Sequence, residues 1–163
     1  MGGSVLVVCI GNELVADDAV GHAVYSELSK LTLPEGARLE YCGVGGIALL
    51  DYLTGSDELM IVVDAVQLGA LPGTVHIMEW DSLAPVAEGA AVSAHGLGLK
   101  DTISIGMALY PDMMPGKTLL VGIEGRCFDE LGGPMTPEVA AAVNPAVMAV
   151  LSELDNSLHG AKI

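Results

Sequence analysis

Short apolar runs alternate along this chain with segments of helical periodicity, and no other feature constrains the fold as much. Residues 4–10 are a nearly continuous apolar run, which is typical of a strand covered on both faces. Residues 17–31 carry apolar side chains three or four positions apart, which predicts a helix. Further strands are predicted at 38–42, 58–64, 75–80 and 118–123, and further helices at 47–53, 96–110 and after Thr136. This order predicts an α/β fold, a three-layer sandwich in which a mainly parallel, twisted sheet of about five strands has helices on both faces.

The last helix and one strand carry features that predict local detail. Thr136 suits the N-cap position, and Pro137 suits the first helical position, where a missing N–H costs nothing. Pro145 predicts a kink or a restart near Asn144, because proline cannot donate the backbone hydrogen bond of a helix interior. Residues 75–80 alternate between apolar and polar side chains, which indicates an edge strand.

Composition limits the class of protein. The 163 residues suit a single domain, 1–163, and an apolar fraction of 52% excludes intrinsic disorder. Six basic and 21 acidic residues give a net charge of −15, which excludes a nucleic-acid partner because such a surface repels phosphate. No apolar run is long enough for a membrane span, and the start lacks the basic residues of a signal peptide. Three cysteines at irregular spacing suit reduced thiols, so we expect a cytoplasmic protein without membrane association.

Chemically useful side chains stand at three places that this fold brings to one edge of the sheet. Asp17 and Asp18 follow the first strand, Asp64 closes the third, and His95 precedes the 96–110 helix. In such sheets ligands bind outside the carboxyl ends of the strands. Each position also has a structural interpretation: helix capping for the aspartate pair, a turn for Asp64 and a surface site for His95. Together, two carboxylates and an imidazole suit zinc, nickel or manganese and leave coordination positions for water or substrate.

Two other constellations compete with a metal site. The loop from Gly43 to Ala48 matches the looser dinucleotide-binding fingerprint, although it follows the second strand rather than the first. Cys9 or Cys42 could pair with His95 as a nucleophile, but small cysteines at strand ends are more often packing residues.

Three segments of the sequence form an ordered set of motifs. The first is Cys9-Ile-Gly-Asn-Glu-Leu-Val-Ala-Asp-Asp18, with Gly21 following. The second is Val62-Val-Asp64-Ala-Val, and the third is Ser93-Ala-His95-Gly-Leu-Gly-Leu. Together with Pro72-Gly-Thr and Met135-Thr-Pro-Glu-Val, they resemble the motifs of the nickel–iron hydrogenase maturation endopeptidases over nearly the whole chain.

The resemblance implies a hydrolase, an endopeptidase of aspartic or metal-dependent type. Such enzymes remove the C-terminal extension from the precursor of a hydrogenase large subunit after nickel insertion. Carried over from the family, the catalytic and metal-binding residues are Asp18, Asp64 and His95. Nickel arrives with the substrate, so the implied partner is the large-subunit precursor, and other divalent metals also fit the site. For Asp17 we expect a structural role in helix capping and in ordering the loop.

The chain departs from the family pattern at two places. Ala19 stands where many members have glycine, and residues 42–46 lack the family's Asp-Gly-Gly-Thr loop. The second departure bears on which large subunit is recognised more than on the reaction. Two other classes of function stay open: a nucleotide-binding enzyme that uses the loop from Gly43 to Ala48, and a non-catalytic nickel-binding maturation chaperone.

Overall fold

Five strands form one sheet in a computed structural model that describes residues 3–44, 47–83 and 99–160. The strands are β1 (Val5–Cys9), β2 (Ala37–Tyr41), β3 (Leu59–Val66), β4 (Val75–Glu79) and β5 (Lys117–Glu124). The α-helices are α1 (Val20–Ser29), α2 (Trp80–Leu83), α3 (Leu99–Leu109) and α4 (Pro137–His159). Two 3₁₀ helices, Ala16–Ala19 and Ile47–Tyr52, follow β1 and β2.

The strand order is β2-β1-β3-β5-β4. β1 pairs in parallel with β2 and β3, and β3 pairs in parallel with β5. β4 lies at the edge and runs antiparallel to β5. The predicted α/β fold with a mainly parallel five-stranded sheet is therefore confirmed. The predicted edge strand is confirmed as well, except that it ends at Glu79 and Trp80 begins α2.

Two apolar layers hold the helices on the two faces of the sheet. Alternate strand residues such as Val7, Val63 and Val121 pack with α1 and α4 in one core. The intervening residues, among them Val62 and Leu120, pack with α3 and the 3₁₀ helix Ile47–Tyr52 in the other. Every residue of β1 and β3 is buried, because each of their faces meets a helical layer. The sandwich predicted from the sequence is the one observed.

Three local expectations need correction. Residues 17–19 form part of a separate 3₁₀ turn, so α1 begins only at Val20. β3 continues two residues beyond Asp64, because β5 still pairs with it there. The restart predicted near Asn144 is wrong, since α4 runs as one helix from Pro137 to His159.

Packing explains why α4 continues through its internal proline. Pro145 removes one backbone hydrogen bond, but α4 buries side chains in both of its halves. Those before the proline include Val139 and Ala142, and those after it include Val150 and Leu154. Tertiary burial of a helix face outweighs the local preference to break. Of the predicted helix 96–110, residues 96–98 lie outside the described part of the chain.

Within the residues that the structure describes, no helix is both long and apolar enough to cross a membrane.

Candidate active site

Asp18 is held against the end of β1 by a tight turn. Its side chain lies in the 3₁₀ turn Ala16–Ala19, is 4% exposed and accepts a hydrogen bond on Oδ2 from the backbone N–H of Asn12 at 3.0 Å. A Cβ at Gly11 would collide with the carbonyl oxygen of Asp18, and one at Gly21 with the carbonyl oxygen of Ile10. The two glycines of the first motif thus allow the turn to pack directly on the strand.

Asp64 lies at the carboxyl end of the central part of the sheet. It is fully buried and sits opposite Gly122 of β5. β1 ends at Cys9, which pairs with Val63, so Asp64 is the first β3 residue beyond that pairing. Alternation along β3 directs Asp64 to the same face as its neighbours Met60, Val62 and Val66, which is the face covered by α3.

Asp18 and Asp64 lie at the same edge of the sheet. The N–H of Ile10 donates to the carbonyl oxygen of Val63 at 2.8 Å, next to Asp64, and Asn12 two residues later donates to Asp18. Burial, then Cys42 and then Asp64 raise the pKa of Cys9. Burial, then Glu13 and then Asp18 raise the pKa of Tyr41.

The third predicted ligand, His95, falls within residues 84–98, outside the described part of the chain. Within the residues that the structure does describe, no group of three or more His, Cys, Asp or Glu side chains is placed to hold a metal ion. The structure therefore places two of the three predicted ligands, both buried and both at the carboxyl edge.

Asp17 joins two distant segments at this edge of the sheet. It is fully buried, and its Oδ2 accepts hydrogen bonds from the N–H groups of Arg126 and Cys127, both at 2.8 Å. Its Oδ1 accepts from the N–H of Thr136 at 2.7 Å and from its hydroxyl at 2.9 Å. Burial raises the pKa of Asp17, but the N–H donors of Arg126, Cys127 and Thr136 outweigh it, so the pKa lies below its ordinary value.

The prediction for Asp17 is half right. Neither the 3₁₀ turn nor α1 has a side-chain cap, so helix capping is wrong for this residue. Loop order is confirmed, because Asp17 fixes the segment that runs from β5 to α4. The partner of Asp17 was not predicted: Thr136 does occupy the N-cap position of α4, but its hydroxyl donates to Asp17 rather than capping the helix.

A second group missed by sequence analysis supports the loop after β1. The Tyr41 hydroxyl donates to the carbonyl oxygen of Gly11 at 2.6 Å. The ring of His22 meets that of Tyr41 edge-on, with centroids 5.0 Å apart, and its Nε2 lies 3.1 Å from Glu13. The apolar spacing in the sequence places His22 on a helix but does not identify its partners, because these come from a different strand and loop.

The structure disfavours the cysteine nucleophile. Burial, and then the neighbouring Cys42 and Asp64, hold the pKa of Cys9 far above its ordinary value. Burial, and then Glu40 and Asp51, raise the pKa of Cys42 to about 12. Because the thiolate is the reactive form, neither thiol is activated at neutral pH.

The structure also disfavours the dinucleotide loop. Residues 45 and 46 lie outside the described part of the chain, and the segment that follows is the six-residue 3₁₀ helix Ile47–Tyr52. A dinucleotide loop opens a longer α-helix, whose N-terminus binds the pyrophosphate, and it follows the first strand of its unit.

The fold and the site define an α/β protein with buried carboxylates at the carboxyl edge of a five-stranded sheet. A family model described as hydrogenase maturation protease matches residues 23–153. The chain belongs to the hydrogenase maturation protease family, and it is thus an endopeptidase of hydrogenase maturation, a hydrolase.

Individual relatives agree with this assignment over almost the whole chain. The hydrogenase 2 maturation protease of Escherichia coli K12 is 31% identical over 154 residues, which cover 94% of this chain and 92% of that protein. The hydrogenase expression/formation protein HoxM of Azotobacter vinelandii is 31% identical over 152 residues, 93% of this chain and 72% of that protein.

Solved structures show the same similarity. The hydrogenase maturating endopeptidase HybD of E. coli superposes with a TM-score of 0.79 at 30% identity, covering 94% of this chain and 93% of that one. The [NiFe] hydrogenase maturation protease HybD of Thermococcus kodakarensis gives a TM-score of 0.77 at 26% identity, covering 93% and 99%.

Proposed function

We propose that this chain removes the C-terminal extension of a nickel-loaded hydrogenase large-subunit precursor, and that Asp18, Asp64 and His95 bind the nickel of that substrate. The observation that carries the proposal is the burial of Asp18 and Asp64 at one edge of the sheet, on the loop after β1 and on β3. A buried carboxylate is costly, and a divalent cation is a partner that repays this cost at a binding site.

The electrostatics of this edge support a cation as the ligand. Asp18 and Asp64 each contribute negative potential that disfavours ionisation of a neighbouring phenol or thiol. The same potential favours a divalent ion. Two carboxylate oxygens and one imidazole nitrogen are ligands that nickel accepts, and three protein ligands leave positions for the precursor.

Capture of the nickel would hold the scissile peptide close to the ion. The ion could then polarise the peptide carbonyl or activate a water, which are two roles of a Lewis acid in hydrolysis. Holding the peptide also makes the reaction effectively intramolecular. Asp17 has no part in ligation in this scheme, since its two oxygens are taken by Arg126, Cys127 and Thr136. It keeps the turn that carries Asp18 in place.

A comparison of two substrates tests the proposal. Purified protein is incubated with nickel-loaded and with nickel-free precursor, and release of the C-terminal peptide is followed by mass spectrometry. We expect cleavage of the loaded precursor only. Equal rates on both substrates would reject nickel as the recognised feature, and tight nickel binding without any cleavage would favour the non-catalytic chaperone.

The contribution of His95 is tested separately. His95→Ala should abolish cleavage while the circular dichroism spectrum and melting temperature stay close to wild type, because the proposal gives this side chain a ligand role only. His159→Ala is the matched control, since His159 lies near the end of α4 and is exposed. A His95→Ala protein that unfolds would support a structural role instead.

A further inference from the structure

The peptide unit between Gly11 and Asn12 is held at both of its polar ends. Its carbonyl oxygen, that of Gly11, accepts a hydrogen bond from the Tyr41 hydroxyl at 2.6 Å. Its N–H, that of Asn12, donates to Oδ2 of Asp18 at 3.0 Å. Because the C=O and the N–H belong to one rigid plane, Tyr41 and Asp18 are joined through a single peptide unit.

Chemistry fixes the direction of both hydrogen bonds. A carbonyl oxygen can only accept, so the Tyr41 hydroxyl is the donor of the first bond, and a backbone N–H can only donate, so Asp18 is the acceptor of the second. A hydrogen bond to the carbonyl oxygen polarises the peptide and makes its N–H a stronger donor. The bond from Tyr41 therefore strengthens the bond that holds Asp18.

The glycine that allows the close approach of the turn also makes this peptide easy to rotate. A Cβ at Gly11 would collide with the carbonyl oxygen of Asp18, so a side chain does not fit there. Glycine has more backbone conformations available than any other residue, and the peptide that follows it is correspondingly less restricted. A donor to the Gly11 carbonyl oxygen selects one orientation of this peptide, and Tyr41 supplies that donor.

Tyr41 is itself fixed by the sheet and by aromatic packing. It is the last residue of β2 and pairs with Cys9 of β1. Its ring meets that of His22 edge-on, with centroids 5.0 Å apart, and lies 5.5 Å from that of Tyr25. Nε2 of His22 in turn lies 3.1 Å from Oε2 of Glu13, on the loop that Tyr41 supports. The hydroxyl of Tyr41 is thus presented to the loop from a rigid position.

We infer that Tyr41 is a positioning residue for the reaction, which orients the Asp18 carboxylate towards the cation through the Gly11–Asn12 peptide. This inference rests on the proposed function, because it takes Asp18 as a ligand of the substrate's nickel. Groups that hydrogen-bond to a carboxylate ligand set its orientation, and their loss costs about 10–100-fold in metal affinity or activity. Tyr41 acts one peptide away from the carboxylate, so we expect an effect at the lower end of this range.

Removal of one hydroxyl tests this inference. Tyr41→Phe keeps the ring between His22 and Tyr25 but leaves the Gly11 carbonyl oxygen without its donor. In protein without a histidine tag, the Kd for Ni²⁺ measured by isothermal titration calorimetry should rise about tenfold, and kcat/KM for the nickel-loaded precursor should fall about tenfold. In ¹H–¹⁵N correlation spectra the amide proton of Asn12 should move upfield, because its hydrogen bond to Asp18 weakens.

Tyr110→Phe is the matched control. It loses the same hydroxyl, but Tyr110 is 51% exposed and follows α3, so all three measurements should keep their wild-type values. A folded Tyr41→Phe protein with the wild-type Kd for Ni²⁺ and the wild-type Asn12 amide shift would overturn the positioning role, even if its melting temperature were lower. If Tyr41→Phe does not fold, His22→Ala is measured instead. Loss of the ring beside Tyr41 should raise the Kd for Ni²⁺, and an unchanged Kd would overturn the inference.

The binding measurements separate this inference from the proposed function. A wild-type protein that binds Ni²⁺ but leaves the nickel-loaded precursor uncut would overturn the proposed cleavage. In that case the Kd for Ni²⁺ and the Asn12 amide shift of Tyr41→Phe would still decide whether Tyr41 positions Asp18. A wild-type protein that does not bind Ni²⁺ would overturn both.

Discussion

Buried carboxylates at the two ends of the sheet are stabilised by different means. At the amino end, Asp57 is 6% exposed and accepts hydrogen bonds from Arg38 at 2.6 Å, Ser4 at 2.7 Å and Thr54 at 3.2 Å. At the carboxyl end, fully buried Asp17 is held by three backbone N–H groups and one hydroxyl, which carry no charge.

The difference separates an end of the sheet that is closed by an ion pair from the end that carries the candidate site. The Arg38 guanidinium neutralises Asp57 and closes the amino end with an ion pair. At the carboxyl end, burial is the main cause of the raised pKa values of Tyr41 and Cys9. The negative charge of Asp18 adds to the rise for Tyr41, and that of Asp64 adds to the rise for Cys9. Negative potential at this end is what the proposed cation site requires.

The largest effect is expected when one buried aspartate at each end of the sheet is replaced by asparagine. Asp64→Asn should slow cleavage of the nickel-loaded precursor at least about 1000-fold, because a Lewis acid contributes several kcal/mol to catalysis. Asp57→Asn should instead lower the free energy of unfolding by about 2 kcal/mol, because it removes a charge-assisted hydrogen bond between the buried carboxylate and Arg38.

Two measurements on each variant check this contrast. Cleavage is normalised to the amount of folded protein, and the free energy of unfolding is obtained from urea titration. Normal cleavage by folded Asp57→Asn is expected. An Asp64→Asn protein that cleaves at the wild-type rate would remove the distinction between the two ends.

A smaller effect is expected from the link between Asp17 and Thr136. Thr136→Val keeps the shape of the side chain but removes the hydroxyl that donates to Asp17. We expect a loss of about 1–2 kcal/mol of stability, the cost of one hydrogen bond to a charged group, and a cleavage rate lowered about tenfold through displacement of the Asp18 turn.

Thr136→Ser is the control for that variant, because it keeps the hydroxyl. Its kcat and its nickel affinity should both stay within about twofold of wild type, the scatter of ordinary surface changes. If Thr136→Ser and Thr136→Val lose stability equally and neither loses activity, the hydroxyl has no positioning role.

The smallest expected effect is a change in acid sensitivity. Asp17 has a folded-state pKa below its ordinary value of 3.8, so its ionised form stabilises the fold. That contribution is complete above the ordinary pKa and is lost as the pH falls from about 4 towards the lowered folded value. Asp17→Asn should therefore show a shallower decline in unfolding free energy than wild type between pH 5 and about 3, measured by urea titration. Parallel pH profiles would assign the acid sensitivity to other carboxylates.

Much of the fold could be predicted because burial leaves a direct pattern in the sequence. β1 and β3 are covered on both faces, which produces continuous apolar runs. The direction of β4 could not be predicted, since alternation identifies an edge strand but not the polarity of its pairing. The path of α4 through Pro145 depends on packing along the whole helix, and a local rule does not include that packing.

The candidate site was likewise predictable in part. The ends of parallel strands meet at one edge, so the positions of Asp18 and Asp64 follow from topology. The partners of Asp17 do not follow, because they lie 109 to 119 positions away and three of its contacts are made by backbone N–H groups, which every residue but proline carries. Sequence alone therefore assigned helix capping and loop order to Asp17, and only the loop order is observed.

A crystal structure of the chain grown with Ni²⁺ tests the central claim most directly. We expect one ion held by a carboxylate oxygen of Asp18, a carboxylate oxygen of Asp64 and a ring nitrogen of His95, each at about 2.0–2.2 Å. An ion bound elsewhere, or His95 directed away from the edge that Asp18 and Asp64 share, would contradict it.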